Sequence, residues 1–163
     1  MRHHRNSAFG VAIMYMEREP LHNKKQTANR IKNLVNEFAF DLDNVFINGT
    51  RLSDFSLSEY FDFVRNIPYR KDGAPVEVVS RPYYILKHKN LGADCKKKAI
   101  LMASFLRLKR IPFRYIGSSN RKDKKIHHIF VQGKIDGEYK NLDATYPQYS
   151  MFQPKTVTAM EVL

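Results

Sequence analysis

The sequence predicts an α+β fold, with helices first and an antiparallel sheet after them. Three observations carry this. Helical hydrophobic spacing dominates the earlier part of the chain, alternating segments around an Asp136-Gly137 turn occupy the later part, and strands and helices do not alternate as they would in a doubly wound parallel sheet. The chain has 163 residues, the size of one ordinary domain, and 43% are apolar, enough for a packed core.

Residues 1–22 read as an arm with an apolar centre. Arg2, His3, His4 and Arg5 precede the apolar stretch from Ala8 to Met16, an order found in secretory signals. The stretch is short, and Glu17-Arg18-Glu19-Pro20 follows without a small-residue cleavage site. A buried strand or clamp segment is therefore the preferred expectation. Residues 23–40 form a helix, because Ile31, Leu34, Val35 and Phe38 share one face. Asn48-Gly49 marks a turn. Ser56 to Arg65 is a second helix, with Ser56 as cap, Glu59 at the capping-box position and Pro68 beyond its end. Residues 69–80 loop through Asp72-Gly73 and Pro75, with Val76 to Val79 extended. Arg81 to His88 is a short helix with Pro82 in its first turn.

Cys95 to Lys109 is the strongest helix. Asp94 caps it, and Ala99, Met102, Ala103 and Leu106 lie at helical spacing from Cys95. Phe113 to Gly117 is a strand, Ser118 to Lys125 a basic loop, Ile126 to Gln132 a strand, and Tyr139 to Leu142 its hairpin partner. From Tyr146 onward no period is visible. The expected organisation is an arm over 1–22, a domain over 23–147 and an irregular tail over 148–163.

Lys and Arg number 28 against 16 Asp and Glu, a formal net charge of +12. That balance favours an anionic neighbour: a cell-wall polymer, a membrane surface or nucleic acid. The basic residues are scattered rather than joined to an aromatic RNA-binding consensus, so nucleic acid ranks last. No run approaches the roughly 20 apolar residues of a membrane-spanning helix, so no transmembrane segment is expected. A single cysteine excludes an intrachain disulfide framework and a multi-cysteine zinc site, and it suits a reducing compartment.

That cysteine, Cys95, stands at a helix start, where backbone N–H groups and the helix dipole favour a thiolate. Lys96, Lys97 and Lys98 add positive potential. The thiolate is the nucleophilic form, so the position suits covalent chemistry. His127-His128 opens a strand. A tight hairpin about Asp136-Gly137 places His128 opposite residue 145, close to Asp143. Nucleophile, imidazole base and orienting carboxylate make a triad of Cys95, His128 and Asp143. The bland alternative is a buried free cysteine, a surface histidine pair and a turn aspartate. A metal site of His127, His128, Cys95 and Asp143 is disfavoured, because adjacent strand histidines face opposite ways and no close ligand-pair spacing exists. No metal and no cofactor is expected.

The segment from Asn90 through Gly92-Ala93-Asp94-Cys95 into the helix, followed by Arg110-Ile111-Pro112-Phe113-Arg114-Tyr115, resembles the cysteine block of the transglutaminase-like superfamily. His128-Ile129-Phe130-Val131-Gln132 resembles its histidine block, His-Ala-Trp-Val-Glu. Asn141-Leu142-Asp143-Ala144-Thr145-Tyr146-Pro147 resembles its Leu-Asp-Pro-Thr block. Order and spacing agree across all three. Lysines stand where acidic residues often follow Asp-Cys, Phe130 stands for the tryptophan and Ala144 for the proline. The resemblance implies a papain/transglutaminase-like core, a cysteine-bearing helix packed on an antiparallel sheet. It implies Cys95 as nucleophile, His128 as base and Asp143 as orienting acid in acyl transfer through a thioester. His128 is preferred to His127 because the Phe-Val-Gln that follows keeps the block in register.

The implied substrate is a peptide or protein amide, cell-wall peptides included, and hydrolysis by a peptidase or amidase is the first expectation. An amine-acylating crosslinker and a structural or scaffold protein of a phage particle are the alternatives. The expected location is cytoplasmic or virion-associated. The Cys95 backbone N–H is one oxyanion donor. Tyr69 and the 88–90 segment are the options for a second.

Overall fold

The computed structural model describes residues 24–73 and 79–163. The expected arm over 1–22 lies outside them, as do residues 76–78 of the expected extended stretch. Among the described residues, no helix is long and apolar enough to cross a membrane.

Helix α1 (Lys24–Phe38) buries the predicted face of Ile31, Leu34, Val35 and Phe38. A 3₁₀ segment, Ala39–Asn44, continues it and buries Leu42. A two-residue hairpin follows, β1 (Phe46–Ile47) and β2 (Thr50–Arg51). Its turn has Asn48 and Gly49 both at positive φ, 49° and 81°, the conformation that an Asn-Gly pair supplies at low strain. Helix α2 (Leu57–Asn66) starts in a full capping box: the Glu59 N–H donates to Ser56 Oγ at 3.2 Å and the Ser56 N–H to Glu59 Oε2 at 2.8 Å. Helix α3 (Pro82–Lys87) begins with the proline, whose missing N–H costs nothing there.

Helix α4 (Cys95–Leu108) is the centre of the molecule. It packs on α1, α2, α3 and the sheet. The sequence suggested one apolar stripe. Instead every residue from Lys98 to Leu106 is buried, because helices cover one side and the sheet the other. The Tyr60 ring of α2 stacks on Phe105 at 4.2 Å between centroids, and its hydroxyl donates to the Leu101 carbonyl at 3.0 Å. The buried phenol is thereby satisfied.

The main sheet has four strands in the order β5-β4-β3-β6, every neighbour antiparallel. They are β3 (Phe113–Ser119), β4 (His128–Ile135), β5 (Glu138–Leu142) and β6 (Ala159–Val162). Asp136 and Gly137, at φ 53° and 85°, make the predicted tight turn between β4 and β5. The tail was expected to be irregular. It carries β6, which pairs with β3 from Ile116↔Val162 to Ser119↔Ala159 and forms one edge of the sheet. The expected α+β architecture, a cysteine helix on an antiparallel sheet, is what the chain adopts.

One short contact ties the loop after α2 to the start of α4. Tyr69 and Ala93 form a parallel bridge, with the Ala93 N–H on the Pro68 carbonyl at 2.8 Å and the Arg70 N–H on the Ala93 carbonyl at 3.3 Å. Gly92 makes that approach possible. Its φ is +88°, and a Cβ there would lie 2.7 Å from Arg70 Cβ and 2.9 Å from the Pro68 carbonyl oxygen. Gly92→Ala is expected to destabilise the fold by about 2–4 kcal/mol, combining backbone strain with a backbone collision. Gly49→Ala, strained in φ but with nothing within 4 Å of the new Cβ, is the comparison and is expected to cost only about 1 kcal/mol. Urea denaturation of both variants checks the difference; equal losses would refute the collision.

Candidate active site

Cys95 is the first residue of α4. Asp94 caps the helix by accepting from the Lys97 N–H at 3.0 Å. The cap fixes the direction in which the helix starts and so the place of the sulfur. The Cys95 N–H lies in the first turn, where backbone donors have no acceptor within the helix.

The three lysines after Cys95 are structural. Lys96 is ion-paired with Asp94, and Lys97 with Asp72. Lys98 is 1% exposed and donates to the carbonyls of Arg65 at 3.1 Å and Thr145 at 2.9 Å. Burial pulls its pKa down from 10.5 to about 8, against the pull of the Asp143 charge. The run that read as a field of positive charge is instead a set of tethers. Lys98 in particular joins the end of α2 to the loop that follows β5.

That loop carries Asp143. Pairing of β4 with β5 runs from Ile135↔Glu138 to Val131↔Leu142, and Asp143 comes next in the chain. His128 opens β4 at the same end. Its Nε2 lies 2.7 Å from Asp143 Oδ2. That leaves the ring's other nitrogen, Nδ1, clear of the carboxylate, and Cys95 and His128 line the same two cavities. Asp143 Oδ1 accepts from the Thr145 N–H at 3.1 Å, which fixes the rotation of the carboxylate. All three residues singled out from the sequence come together. The imidazole packs against Phe130, whose ring stands 5.8 Å away.

The fourth member of this group was invisible in the sequence. Lys155 reaches in from the tail, and its ammonium lies 2.5 Å from Asp143 Oδ2. The ammonium also sits 3.4 Å from the centroid of the Tyr149 ring. Its only sequence signal was a lysine in a segment with no period.

Charge and burial compete at both partners. Burial disfavours the charged His128 ring, but the hydrogen bonds to Asp143 and Cys95 and their charges outweigh it, and its pKa rises from 6.5 to about 9. Burial likewise disfavours the Asp143 carboxylate. The hydrogen bond and charge of His128, then the charge of Lys155, outweigh that and hold it at about 2. The raised His128 value contributes stability that is full below pH 6.5 and is lost as pH rises through about 9. The lowered Asp143 value contributes stability that is full above pH 3.8 and is lost as pH falls through about 2. The two overlap from about pH 4 to 6.5. Unfolding free energy is expected to drop by about 2–3 kcal/mol between pH 6 and 9.5, and the drop is expected to shrink in His128→Gln. Denaturant titration of both proteins at the two pH values checks this; an identical drop in the variant would exclude His128 as its source.

Tyr69, set by its bridge to Ala93, lines the same cavity as Cys95. Burial, a hydrogen bond with Tyr146 and the Cys95 and Asp94 charges keep its phenol protonated well above the ordinary range. The 88–90 segment does not share this place. His88 lines a different cavity with Arg70, Asp72 and Tyr84, and that cavity does not touch Cys95. His127 is exposed, with Nδ1 3.3 Å from the Lys125 carbonyl. Among the described residues, no group of three or more His, Cys, Asp or Glu side chains is disposed to hold a metal ion.

A cysteine-bearing helix packed on an antiparallel sheet, with the cysteine and a carboxylate-held histidine bordering one cavity, is the architecture of the papain/transglutaminase-like class. Within that class the chain belongs to the transglutaminase-like superfamily, whose family model matches residues 53–144, more than half of its length. No curated protein matches it. The crystal structure of a candidate cysteine protease from Cytophaga hutchinsonii is similar at 16% identity and a TM-score of 0.44, over 98% of this chain and 56% of that one. The chain thus spans little more than half the length of that relative.

Proposed function

We propose that this protein is a thiol-dependent acyl-transfer enzyme that hydrolyses amide bonds of peptides, with Cys95 as nucleophile, His128 as base and Asp143 as orienting acid. One observation carries the reading: His128, whose Nε2 is held by the Asp143 carboxylate at 2.7 Å, borders the same two cavities as Cys95.

The thiol proton passes to His128 Nδ1 as sulfur attacks the carbonyl carbon. Asp143 holds the Nε2 proton and so leaves Nδ1 as the position that carries the thiol proton. The tetrahedral oxyanion lies by the Cys95 N–H, with the protonated Tyr69 phenol as second donor. Collapse breaks the C–N bond, and the amine leaves with the proton that His128 returns. Water then gives a proton to His128 and attacks the thioester. The C–S bond breaks, a carboxylic acid departs, and the thiol is restored. An amine in place of water would give a crosslink by the same steps.

Incubation with peptide amides, cell-wall peptides among them, with and without a primary amine, separates these outcomes by mass. A free acid as main product is expected, absent with Cys95→Ser. An amine adduct as main product would overturn hydrolysis in favour of crosslinking. A thiol that alkylates only after denaturation would sink the enzymatic reading.

A further inference from the structure

The sulfur of Cys95 borders two spaces of different chemistry. One is small and largely apolar, with Ile126, Ile129 and Leu163 in its walls. The other is a cavity of about 230 Å³ on the side of the C-terminal tail. Lys71, Arg121 and Lys155 line it together with three tyrosines, Tyr69, Tyr146 and Tyr149, and no Asp or Glu is among its described lining residues. The cations are not equivalent. Lys155 is spent on Asp143. Lys71 and Arg121 are exposed residues of two different loops, one after α2 and one between β3 and β4. The tyrosines form a packed wall, Tyr69 to Tyr146 at 4.7 Å and Tyr146 to Tyr149 at 5.3 Å between centroids. Fixed phenols of this kind offer hydroxyl donors as well as flat apolar contact.

We propose that this cavity selects a peptide bearing a carboxylate on that side of the scissile amide, with Lys71 and Arg121 as the residues that recognise the charge. The inference rests on the thiol chemistry argued above and names the substrate class for it. Two cations in the wall of one cavity, with no Asp or Glu among its described lining residues, raise the local concentration of anions. An uncharged peptide would leave them with water alone. Arginine in addition offers the planar pair of donors that fits a carboxylate. The carboxylate comes from an Asp or Glu side chain or from a free C-terminus, and the chemistry is shared.

Alkylation separates the charge effect from catalysis, because iodoacetate and iodoacetamide differ in charge and little in size. The iodoacetate-to-iodoacetamide rate ratio at Cys95 is expected to fall about threefold to tenfold in the Lys71→Gln/Arg121→Gln double variant, with the iodoacetamide rate unchanged. Added salt should lower the wild-type ratio and leave that of the variant nearly constant. His128 is intact in both proteins, so its charge cancels in the comparison. Peptides then identify the source of the carboxylate through protection of Cys95 from iodoacetamide. Better protection by a C-terminally amidated Glu peptide than by its Gln counterpart assigns a side chain. Better protection by a free C-terminus than by its amide assigns the terminus. An unchanged ratio in the double variant, or no gain from either carboxylate, overturns the proposal. Inertness to both reagents overturns the thiol reading beneath it, which is a different and recognisable result.

Discussion

His128→Ala is expected to lower kcat/KM for amide hydrolysis by about 10³-fold and to slow alkylation of folded Cys95 by iodoacetamide at neutral pH. The two readouts address one nitrogen. Nδ1 is the nitrogen left for the thiol in the proposed mechanism, since Nε2 is engaged by Asp143 at 2.7 Å. Without it, sulfur has no base in contact, and the departing amine has no acid. The effects of Cys95→Ala and His128→Ala should not add. The double variant is expected to be no slower than Cys95→Ala alone, because the pair acts as a unit. His128→Ala also removes the partner of Asp143 and is expected to lower stability, so alkylation is measured under conditions where the variant is folded. A His128→Ala protein that alkylates at the wild-type rate would remove the base from the mechanism, whatever its stability.

What could be seen in the sequence follows from how local each cause is. The capping box at Ser56, the Asp94 cap, the Pro82 start and the Asp136-Gly137 turn each depend on a few adjacent residues, and each appears where it was expected. The nearness of His128 to Asp143 was legible for the same reason, as hairpin register is fixed by the turn. The approach of Cys95 was not a local matter. It followed from the family's spacing, and structurally from packing of α4 against the sheet. The features that sequence reasoning missed are long-range. Strand β6 is an edge strand whose residues are mostly exposed, so it lacks the apolar alternation that marks a half-buried strand. Lys155 pairs with Asp143 only because the tail folds back across the site. The lysines at 96–98 read as a source of positive potential at Cys95, and only their partners Asp94, Asp72 and two backbone carbonyls reveal them as anchors too.

Asp143→Asn is the sharpest probe of that arrangement. The carboxylate uses both oxygens: Oδ1 accepts from the Thr145 N–H, and Oδ2 accepts from His128 Nε2 and Lys155. Asparagine has one acceptor oxygen and an amide that only donates. If the oxygen stays with Thr145, the amide faces His128 and forces Nε2 to accept. The imidazole proton then sits on Nδ1, toward the sulfur, and the ring can no longer take the thiol proton. Loss of about 10³- to 10⁴-fold in kcat/KM is expected from this tautomer error. Loss of the carboxylate charge should also return the His128 pKa from about 9 toward its ordinary 6.5, which empties the imidazolium needed to protonate the leaving amine at neutral pH. Stability should fall by about 2–4 kcal/mol, because Lys155, with 10% of its side chain exposed, loses its ion-pair partner. Adding Lys155→Met to Asp143→Asn should restore part of that stability and none of the activity. Recovery of both together would mean that Asp143 serves the fold through Lys155 and does not direct the imidazole.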